Sequence, residues 1–237
     1  MQAIILAGGK GTRLKPYTVT IPKPLMPVSD LPILEIVIRQ LKHYAIKELI
    51  ISTGHLAELI EAYFKKGSKW GVKIRYVREE KALGTAGAIR NINGLEDNFI
   101  VMNGDILTDL DYRYLYNFHI KHKGIATVAV AKREVFIDFG VVETDSSNKL
   151  TTYIEKPKHF TYVSMGINVL NKRCKKYISK GESIGMPELI LRMKSKNESI
   201  YCYKADSYWL DIGRIEDFQR AQEEFERNRE KFLYDEE

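Results

Sequence analysis

A glycine-rich segment directly after the first apolar run carries the clearest chemical signal in the chain. Residues 3–7 are apolar, and glycines follow at positions 8, 9 and 11. Such glycines let the backbone pass close to a ligand and aim its N–H groups at an anion, and Arg13 and Lys23 add positive charge just beyond. The spacing matches neither the Walker loop nor the dinucleotide motif GxGxxG, because position 14 is leucine. A triphosphate is the ligand that suits such a loop, although on composition alone a structural turn explains the glycines equally well.

Two aspartates are candidates for holding a divalent cation. Asp105 ends a second apolar run in the sequence Asn-Gly-Asp, and Asp211 lies in the sequence Trp-Leu-Asp-Ile-Gly. Magnesium prefers one or two carboxylates together with phosphate oxygens and waters, so a carboxylate at a strand end suits it. Taken alone, Asp105 is equally well explained as a metal ligand or as a turn residue. Of the neighbouring Asp109 and Asp111, one is expected to cap a helix that begins near Tyr112.

Short apolar runs alternate with segments of helical spacing in the first half of the chain, and these elements must position the loop and the aspartates. Strands are predicted at residues 3–7, 48–53, 72–77 and 99–102, and helices at 34–44, 56–64 and 85–92. This alternation is typical of βαβ units and a mainly parallel sheet. In such a sheet, ligands bind beyond the carboxyl ends of the strands, where the glycine loop and Asp105 fall.

The second half of the chain has a more mixed pattern. Strand-like segments are predicted at residues 125–131, 140–143, 151–155 and 162–170, and helical ones at 172–179 and 187–194. A charged helix is expected from about residue 215, and it could contact its own domain or another subunit. The pattern contains no repeat, low-complexity segment or linker, so residues 1–237 are interpreted as one domain.

The composition narrows the classes of protein that the chain can represent. Of the 237 residues 44% are apolar, and 37 basic against 31 acidic residues give a net charge of +6. That excess suits a small polyanion as well as nucleic acid, so no nucleic-acid partner is expected. The chain has no long uncharged apolar run and no basic signal-peptide start, so no membrane association is expected either. The two distant cysteines, Cys174 and Cys202, are interpreted as reduced thiols of a cytoplasmic protein.

A family resemblance joins these features. Residues 6–14, Leu-Ala-Gly-Gly-Lys-Gly-Thr-Arg-Leu, together with Pro-Lys-Pro-Leu at 22–25, closely resemble the signature of the sugar-1-phosphate nucleotidyltransferases. Further matches follow in family order at residues 83–87, 103–105, 139–142, 155–157 and 209–213. The resemblance implies a three-layer, Rossmann-like α/β fold with a mainly parallel central sheet, of the nucleotide-diphospho-sugar transferase type. Some relatives append a β-helix domain, and none is expected in this chain.

The resemblance also implies a reaction and a set of residues for it. A nucleotidyl group would pass from a nucleoside triphosphate to a sugar 1-phosphate, with release of pyrophosphate and with Mg²⁺ as cofactor. Asp105 and Asp211 would share the metal, and Arg13 and Lys23 would steady the β- and γ-phosphates and the transition state. The residues expected to contact the nucleotide are Leu6, Ala7, Gly8, Gly9, Gly11, Thr12, Glu80, Gly84 and Thr85.

A second set of matched residues would bind the sugar 1-phosphate. Lys156 would contact its phosphate and Glu155 its hydroxyls, while Gly140 would let the backbone approach the sugar. The alternative for Lys156 is an ordinary surface ion pair with Glu155. Ser164 and Asn168 are also expected to contact the sugar, because they replace an asparagine and an aromatic residue that are usual in the family. Side chains alternate along a strand, so Ser164, Gly166 and Asn168 are expected to share a face.

Base choice is expected to depend on the first loop and on residues 79–87, and it is predicted from the motif Leu-Gly-Thr-Ala-Gly at 83–87. Its wording resembles that of the mannose- and heptose-1-phosphate guanylyltransferases of surface-polysaccharide pathways, whereas uridylyl- and thymidylyl-transferring relatives more often have Ala-His at positions 86 and 87. Guanine presents N1–H and N2–H₂ donors, which the Glu80 carboxylate could accept. GTP is therefore the expected substrate, with UTP or dTTP as the alternative.

Two other classes of protein are alternatives to a nucleotidyltransferase. A non-catalytic sensor of nucleotide sugars should have lost charged catalytic positions, yet all of those named above are present. A glycosyltransferase would use an Asp-x-Asp motif, which residues 109–111 spell, but it leaves the glycine loop unexplained. An active nucleotidyltransferase, as a monomer or a homo-oligomer, is the preferred interpretation.

Overall fold

The computed structural model describes residues 1–79 and 81–234. The strands are β1 Gln2–Ala7, β2 Pro27–Val28, β3 Leu31–Pro32, β4 Glu48–Thr53, β5 Lys73–Arg78, β6 Asn98–Asn103, β7 Ile106–Thr108, β8 Ala126–Phe136, β9 Val141–Thr144, β10 Leu150–Ile154, β11 Lys158–Asn171, β12 Ile200–Ala205 and β13 Trp209–Asp211. The α-helices are α1 Ile33–His43, α2 Ala57–Phe64, α3 Gly84–Gly87, α4 Tyr112–His122, α5 Met186–Ser195, α6 Ile215–Arg227 and α7 Arg229–Phe232.

A seven-stranded sheet in the order β12-β8-β11-β6-β1-β4-β5 forms the centre of the fold. β11 runs antiparallel to both of its neighbours, and every other neighbouring pair is parallel. The chain moves outward from β1 to β4 and β5, and then returns to the opposite side of β1 with β6. This reversal of strand order opens a crevice at the carboxyl ends of β1 and β6, where open α/β sheets bind their ligands.

Helices cover both faces of this sheet, which gives three layers. Ala3 and Ile5 of β1 contact a core that includes Leu34 of α1, whereas Ile4 points into a second core that includes Leu189 of α5. All five side chains are buried, because successive residues of a strand point to opposite faces and both faces are covered. The predicted α/β fold with a mainly parallel sheet is confirmed.

Beyond the sheet, β8 and β11 continue as a two-stranded ribbon, and the β9–β10 hairpin lies between them in sequence. β6 pairs with β11 only from Ile167 onward, and β12 pairs with β8 only as far as Ala131. We refer to residues 132–163 as the arm. Large apolar side chains are exposed there, among them Phe139, of which 77% of the surface is accessible.

Several elements differ from the predicted ones in length or type. The helix predicted at 85–92 is the four-residue α3 followed by a 3₁₀ turn at Ala88–Asn91, and the segment predicted at 172–179 is a 3₁₀ turn at Lys172–Tyr177. The charged helix expected from about 215 is α6. β12 was not predicted, because it lies at the edge of the sheet and its residues are at most partly buried. No helix in the described part of the chain is long and apolar enough to cross a membrane.

Candidate active site

A cleft of about 380 Å³ lies at the carboxyl ends of β1, β5 and β6, and we call it the first cleft. Residues from all three of these strand ends line it, together with the start of α3. Among the residues expected to contact the nucleotide, those that line this cleft are Leu6, Ala7, Gly8, Gly9, Gly11, Thr12, Gly84 and Thr85. Arg13, Lys23 and Asp105 line it as well. Glu80, the predicted base contact, lies outside the described residues.

The conformation of the glycine loop depends on Gly11, which has left-handed backbone angles, and on the buried residue Thr18. Gly11 has φ +59°, and a Cβ at this position would lie 2.8 Å from Cγ2 of Thr18. The Thr18 hydroxyl donates a hydrogen bond to the Gly11 carbonyl at 2.8 Å. A 3₁₀ turn at Thr12–Leu14 follows, in which Leu14 is fully buried while Arg13 stays exposed. The loop therefore curves around the cleft with a cation at its rim.

Two carboxylates converge on one ammonium group at the edge of the first cleft, whose lining includes Lys23 and Asp105. Lys23 Nζ forms an ion pair with Asp105 Oδ2 and lies 3.7 Å from Asp211 Oδ1. The Asp211 atom is buried and accepts no hydrogen bond. Burial raises the pKa of the Asp105 carboxyl; the Lys23 charge lowers it and the Asp211 charge raises it again. A site with two such carboxylates and an oxygen lacking a partner is one that a divalent cation fits.

The backbone explains why these aspartates meet although they are far apart in sequence. Asp105 lies in the turn between β6 and β7, where the Gly104 N–H donates to the Leu6 carbonyl at 3.0 Å. β7 pairs with β13, so that Asp211 is directly opposite Ile106. The Ile212 N–H also donates to the Asp105 carbonyl at 3.0 Å. The two carboxylates are thus fixed by the end of the sheet rather than by a loop alone.

Glu79 lies in the segment expected to select the base, but it was not itself predicted as a site residue. Its N–H donates to the Thr53 carbonyl at 2.9 Å, one residue beyond the end of β5. Glu79 Oε1 accepts from the Ser52 hydroxyl at 2.7 Å, and Oε2 accepts from the Leu83 N–H at 2.9 Å. The carboxylate is therefore held in one orientation in the lining of the cleft. Its position after a predicted strand was the signal that could have identified it.

The α3 segment contacts the loop that precedes α5 very closely. The Met186 N–H donates to the Thr85 hydroxyl at 2.7 Å. A Cβ on Gly87 would lie 2.4 Å from the Glu182 carbonyl oxygen, so a larger residue at 87 needs a different path for that loop. The glycine that distinguishes this motif from the Ala-His form thus has a steric reason in this structure.

The residues expected to bind the sugar phosphate lie on the arm, outside the lining of the first cleft. Gly140, Glu155 and Lys156 are partly or fully exposed. Lys156 Nζ forms an ion pair with Asp138 at 3.0 Å, so the alternative pairing with Glu155 is wrong. Lys156 also has φ +45°, a strained conformation for a residue with a side chain.

Ser164 and Asn168 lie where β11 joins the arm to the sheet. Ser164 pairs with Val130 of β8, and Asn168 pairs with Val128. The step between the two pairs is four residues on β11 but two on β8, so β11 bulges there. Because Val130 and Val128 are two residues apart, Ser164 and Asn168 lie on the same face. Ser164 is exposed, whereas Asn168 is only 3% exposed and its Oδ1 is buried without a hydrogen-bond partner.

The Asp-x-Asp sequence at 109–111 has structural roles. The Asp111 side chain accepts hydrogen bonds from the N–H groups of Arg113 and Tyr114 and so caps α4, as expected for one of the two aspartates. Asp109 Oδ1 accepts from the Tyr208 N–H at 2.8 Å. Both carboxylates are therefore committed to backbone donors, which removes the main argument for a glycosyltransferase.

Comparison with known proteins identifies the family of this chain. Residues 2–228 match the family described as nucleotidyl transferase. The chain is 34% identical to a UTP–glucose-1-phosphate uridylyltransferase of Synechocystis sp., over 93% of this chain and 62% of that enzyme. It is 33% identical to the D-glycero-alpha-D-manno-heptose 1-phosphate guanylyltransferase of Aneurinibacillus thermoaerophilus, over 95% of this chain and 99% of that enzyme. The structure of HddC from Yersinia pseudotuberculosis with GMP-PN aligns with a TM-score of 0.73 and 25% identity, over 94% of this chain and 99% of that one.

These relatives differ in length and in the nucleotide they are named for. The chain spans about three fifths of the cyanobacterial uridylyltransferase and nearly all of the heptose enzyme. The shared part includes the first cleft, since the family match extends from β1 through the end of α6.

Proposed function

We propose, since the chain belongs to the sugar-1-phosphate nucleotidyltransferase family, that it transfers a guanylyl group from GTP to a hexose or heptose 1-phosphate. The products are a GDP-sugar, a precursor for glycan synthesis, and pyrophosphate. The observation that carries the proposal is the convergence of Asp105 and Asp211 on Lys23, beside a cleft lined by the glycine loop.

The proposed chemistry depends on cations rather than on a general base. A phosphate monoester has its second pKa near about 6, so the attacking oxygen is largely deprotonated at neutral pH. That oxygen forms a bond to the α-phosphorus of GTP, the bond from this phosphorus to the bridging oxygen of the β-phosphate breaks, and the electron pair leaves with pyrophosphate. Two unit charges ~4 Å apart repel by about 4 kcal/mol at an effective dielectric near 20, a factor approaching ~10³ in rate.

The side chains at the cleft suit this electrostatic task. Arg13 and Lys23 would neutralise the β- and γ-phosphates and hold the triphosphate with its α-phosphorus open to attack. Asp105 and Asp211 would hold Mg²⁺, which supplies Lewis-acid stabilisation of the phosphate charge when bound. Both carboxylates already carry a cation between them in the form of Lys23.

Glu79, which precedes the predicted contact Glu80 in the sequence, is a second residue that we assign to base selection. Each of its carboxylate oxygens accepts one protein hydrogen bond and keeps acceptor capacity for a ligand. Guanine offers the paired donors N1–H and N2–H₂, whereas uracil and thymine offer N3–H between two carbonyl acceptors. A fixed carboxylate therefore favours guanine, in agreement with the guanylyltransferase and GMP-PN relatives.

The sugar phosphate is assigned to the arm and its base. Lys156 is 61% exposed, and among residues 1–79 and 81–234 its one ion-pair partner is the exposed Asp138, so it is available to a phosphate. Ser164 and Asn168 would contact the sugar from the shared face of β11, and their identities favour a sugar other than that of the mannose enzymes.

A pyrophosphate-release screen tests the proposal. GTP, UTP, dTTP, CTP and ATP are each combined with hexose and heptose 1-phosphates, with and without Mg²⁺. We expect the highest kcat/KM with GTP and no release without a sugar phosphate. A higher value for UTP or dTTP would contradict the choice of base, and no release from any combination would contradict the reaction itself.

A further inference from the structure

A second cleft, of about 830 Å³, lies between the base of the arm and the start of α6. Arg13 lines this cleft as well as the first one, and Asp211 lies in its wall. The two carboxylates proposed to hold the metal therefore lie between the clefts: Asp105 lines the first and Asp211 lines the second. The cations that line the second cleft are Arg13, Lys132, Arg133, Arg214 and Arg220.

The carboxylates that line the second cleft do not neutralise all of its positive side chains. Four carboxylates line it, against five cations. Glu134 is paired at 3.4 Å with Lys158, which lies outside the lining, and Asp211 shares Lys23 with Asp105. Glu216 and Asp217 are the other two. The cleft thus has an excess of positive charge.

Three of the arginines have no partner in the structure. The side chains of Arg13, Arg133 and Arg214 make no ion pair or hydrogen bond with any residue of 1–79 and 81–234. The Ser207 hydroxyl, which also belongs to a residue of the lining, is buried without a hydrogen-bond partner. Arginine guanidinium groups present planar donor pairs that match phosphate oxygens, so unpaired arginines at one cavity suit a phosphate ligand.

Arg214 lies at a helix position where a positive charge is unfavourable. It is the residue that precedes α6, at the positive end of the helix dipole, and its side chain makes no capping bond. A cation at this end is unfavourable. The same position attracts anions, so Arg214 and the helix start would act together on a phosphate group placed in the cleft.

We propose that the second cleft binds the pyrophosphate that leaves the reaction, with Arg133 and Arg214 as its own ligands and Arg13 passing the anion from the first cleft. This inference rests on the proposed function, which produces pyrophosphate beside Arg13. A sugar 1-phosphate carries the same phosphate chemistry, but Lys156, its expected partner, is not in the lining of this cleft.

Calorimetric titration with pyrophosphate in the presence of Mg²⁺ tests the site without turnover. Arg133→Gln and Arg214→Gln should each weaken binding about tenfold, and the double variant about a hundredfold, because each removes a charged hydrogen bond. Arg227→Gln is the matched control, since Arg227 is exposed at the far end of α6 and outside the cleft. The control should match the wild-type chain within twofold.

The outcomes separate this proposal from the proposed function. No pyrophosphate binding by the wild-type chain, or equal binding by the arginine variants, would overturn the site even if the chain is an active enzyme. Arginine-dependent binding without any turnover would support the site and reject the proposed function. In an active enzyme, the variants should raise the KM for pyrophosphate in the reverse reaction. An increase confined to the KM for the sugar 1-phosphate would overturn the assignment.

Discussion

The first cleft and the arm hold the two halves of the candidate site in different ways. In the first cleft, Glu79 accepts two hydrogen bonds, and Asp105 is fixed by the backbone at the end of β6. On the arm, Glu155 and Lys156 are exposed in the connection between β10 and β11, and neither β6 nor β12 extends along the adjoining ribbon of β8 and β11. The nucleotide side is therefore built by the sheet, whereas the sugar side depends on a projecting hairpin.

This difference indicates that the first cleft and the arm have different functions. Residues at the ends of parallel strands keep their positions when substrates change, which suits the common triphosphate and metal. Residues on a two-stranded ribbon have few neighbours and can move or change at low cost in stability, which suits a variable sugar. Substitutions in the first cleft should therefore affect every substrate pair, and those on the arm only the sugar phosphate.

The largest effect is expected for Asp105→Asn, which removes a carboxylate from the floor of the first cleft. Turnover with every sugar phosphate should fall by at least about a thousandfold, since metal and Lys23 both lose a charged partner. Because burial raises the pKa of this carboxyl, its charge is held at a cost, and the melting temperature should stay the same or rise. Asp97→Asn, at the opposite end of β6, is the control. Near wild-type turnover in Asp105→Asn would rule out the role in the first cleft.

Glu79→Gln should alter the choice of base on the same side of the molecule. Loss of a charged acceptor for guanine costs roughly 1.5–3 kcal/mol, or about 10- to 100-fold in kcat/KM for GTP. The amide adds a donor, so activity with UTP or dTTP should rise relative to GTP, whichever sugar phosphate is used. Glu58→Gln, on the exposed side of α2, should change neither value. An unchanged GTP preference in Glu79→Gln would exclude base selection by this residue.

Acid should weaken the sheet that supports the first cleft and leave the arm unaffected. His119 of α4 is buried, its ring contacts Thr127 and Asn98, and burial lowers its pKa from 6.5 to about 4. The unfolded chain takes up a proton below pH 6.5 that the folded chain resists, so stability is complete above that pH and declines toward pH 4. Between pH 6.5 and 4.5 the loss should be about 2 kcal/mol in the free energy of unfolding.

Denaturant titrations across this pH range measure the effect. His119→Gln should have lower stability at neutral pH but a flatter dependence below pH 6.5. The control is His159→Gln, because His159 is exposed on the arm. An equally steep decline in the His119 variant would mean that another group causes it.

The smallest effect is expected for Lys156→Gln on the arm. The KM for the sugar 1-phosphate should rise about tenfold, through loss of one charged hydrogen bond, while the KM for GTP and the melting temperature stay the same. Lys149→Gln, in the exposed turn of the same hairpin, is the control. A parallel rise in the KM for GTP would show that arm and first cleft are not separate in function.

The sequence predicted the first cleft better than the surroundings of the arm, for a physical reason. A buried strand ends where its apolar run ends, so Gly8 and Asp105 could be assigned to strand ends from the sequence. Glu79 was not singled out from the sequence, because the strand before it was predicted to end at residue 77 whereas β5 ends at Arg78. Arg133 and Arg214 had no local signal, since only the folded chain brings β8 beside α6.

The sheet forms the first cleft before the sugar phosphate binds. Calorimetric titration of the free chain with Mg²⁺ and a non-cleavable GTP analogue, with and without a hexose 1-phosphate, tests this directly. We expect the analogue to bind the free chain without the hexose 1-phosphate. Binding of the analogue only when the hexose 1-phosphate is present would contradict a preformed first cleft.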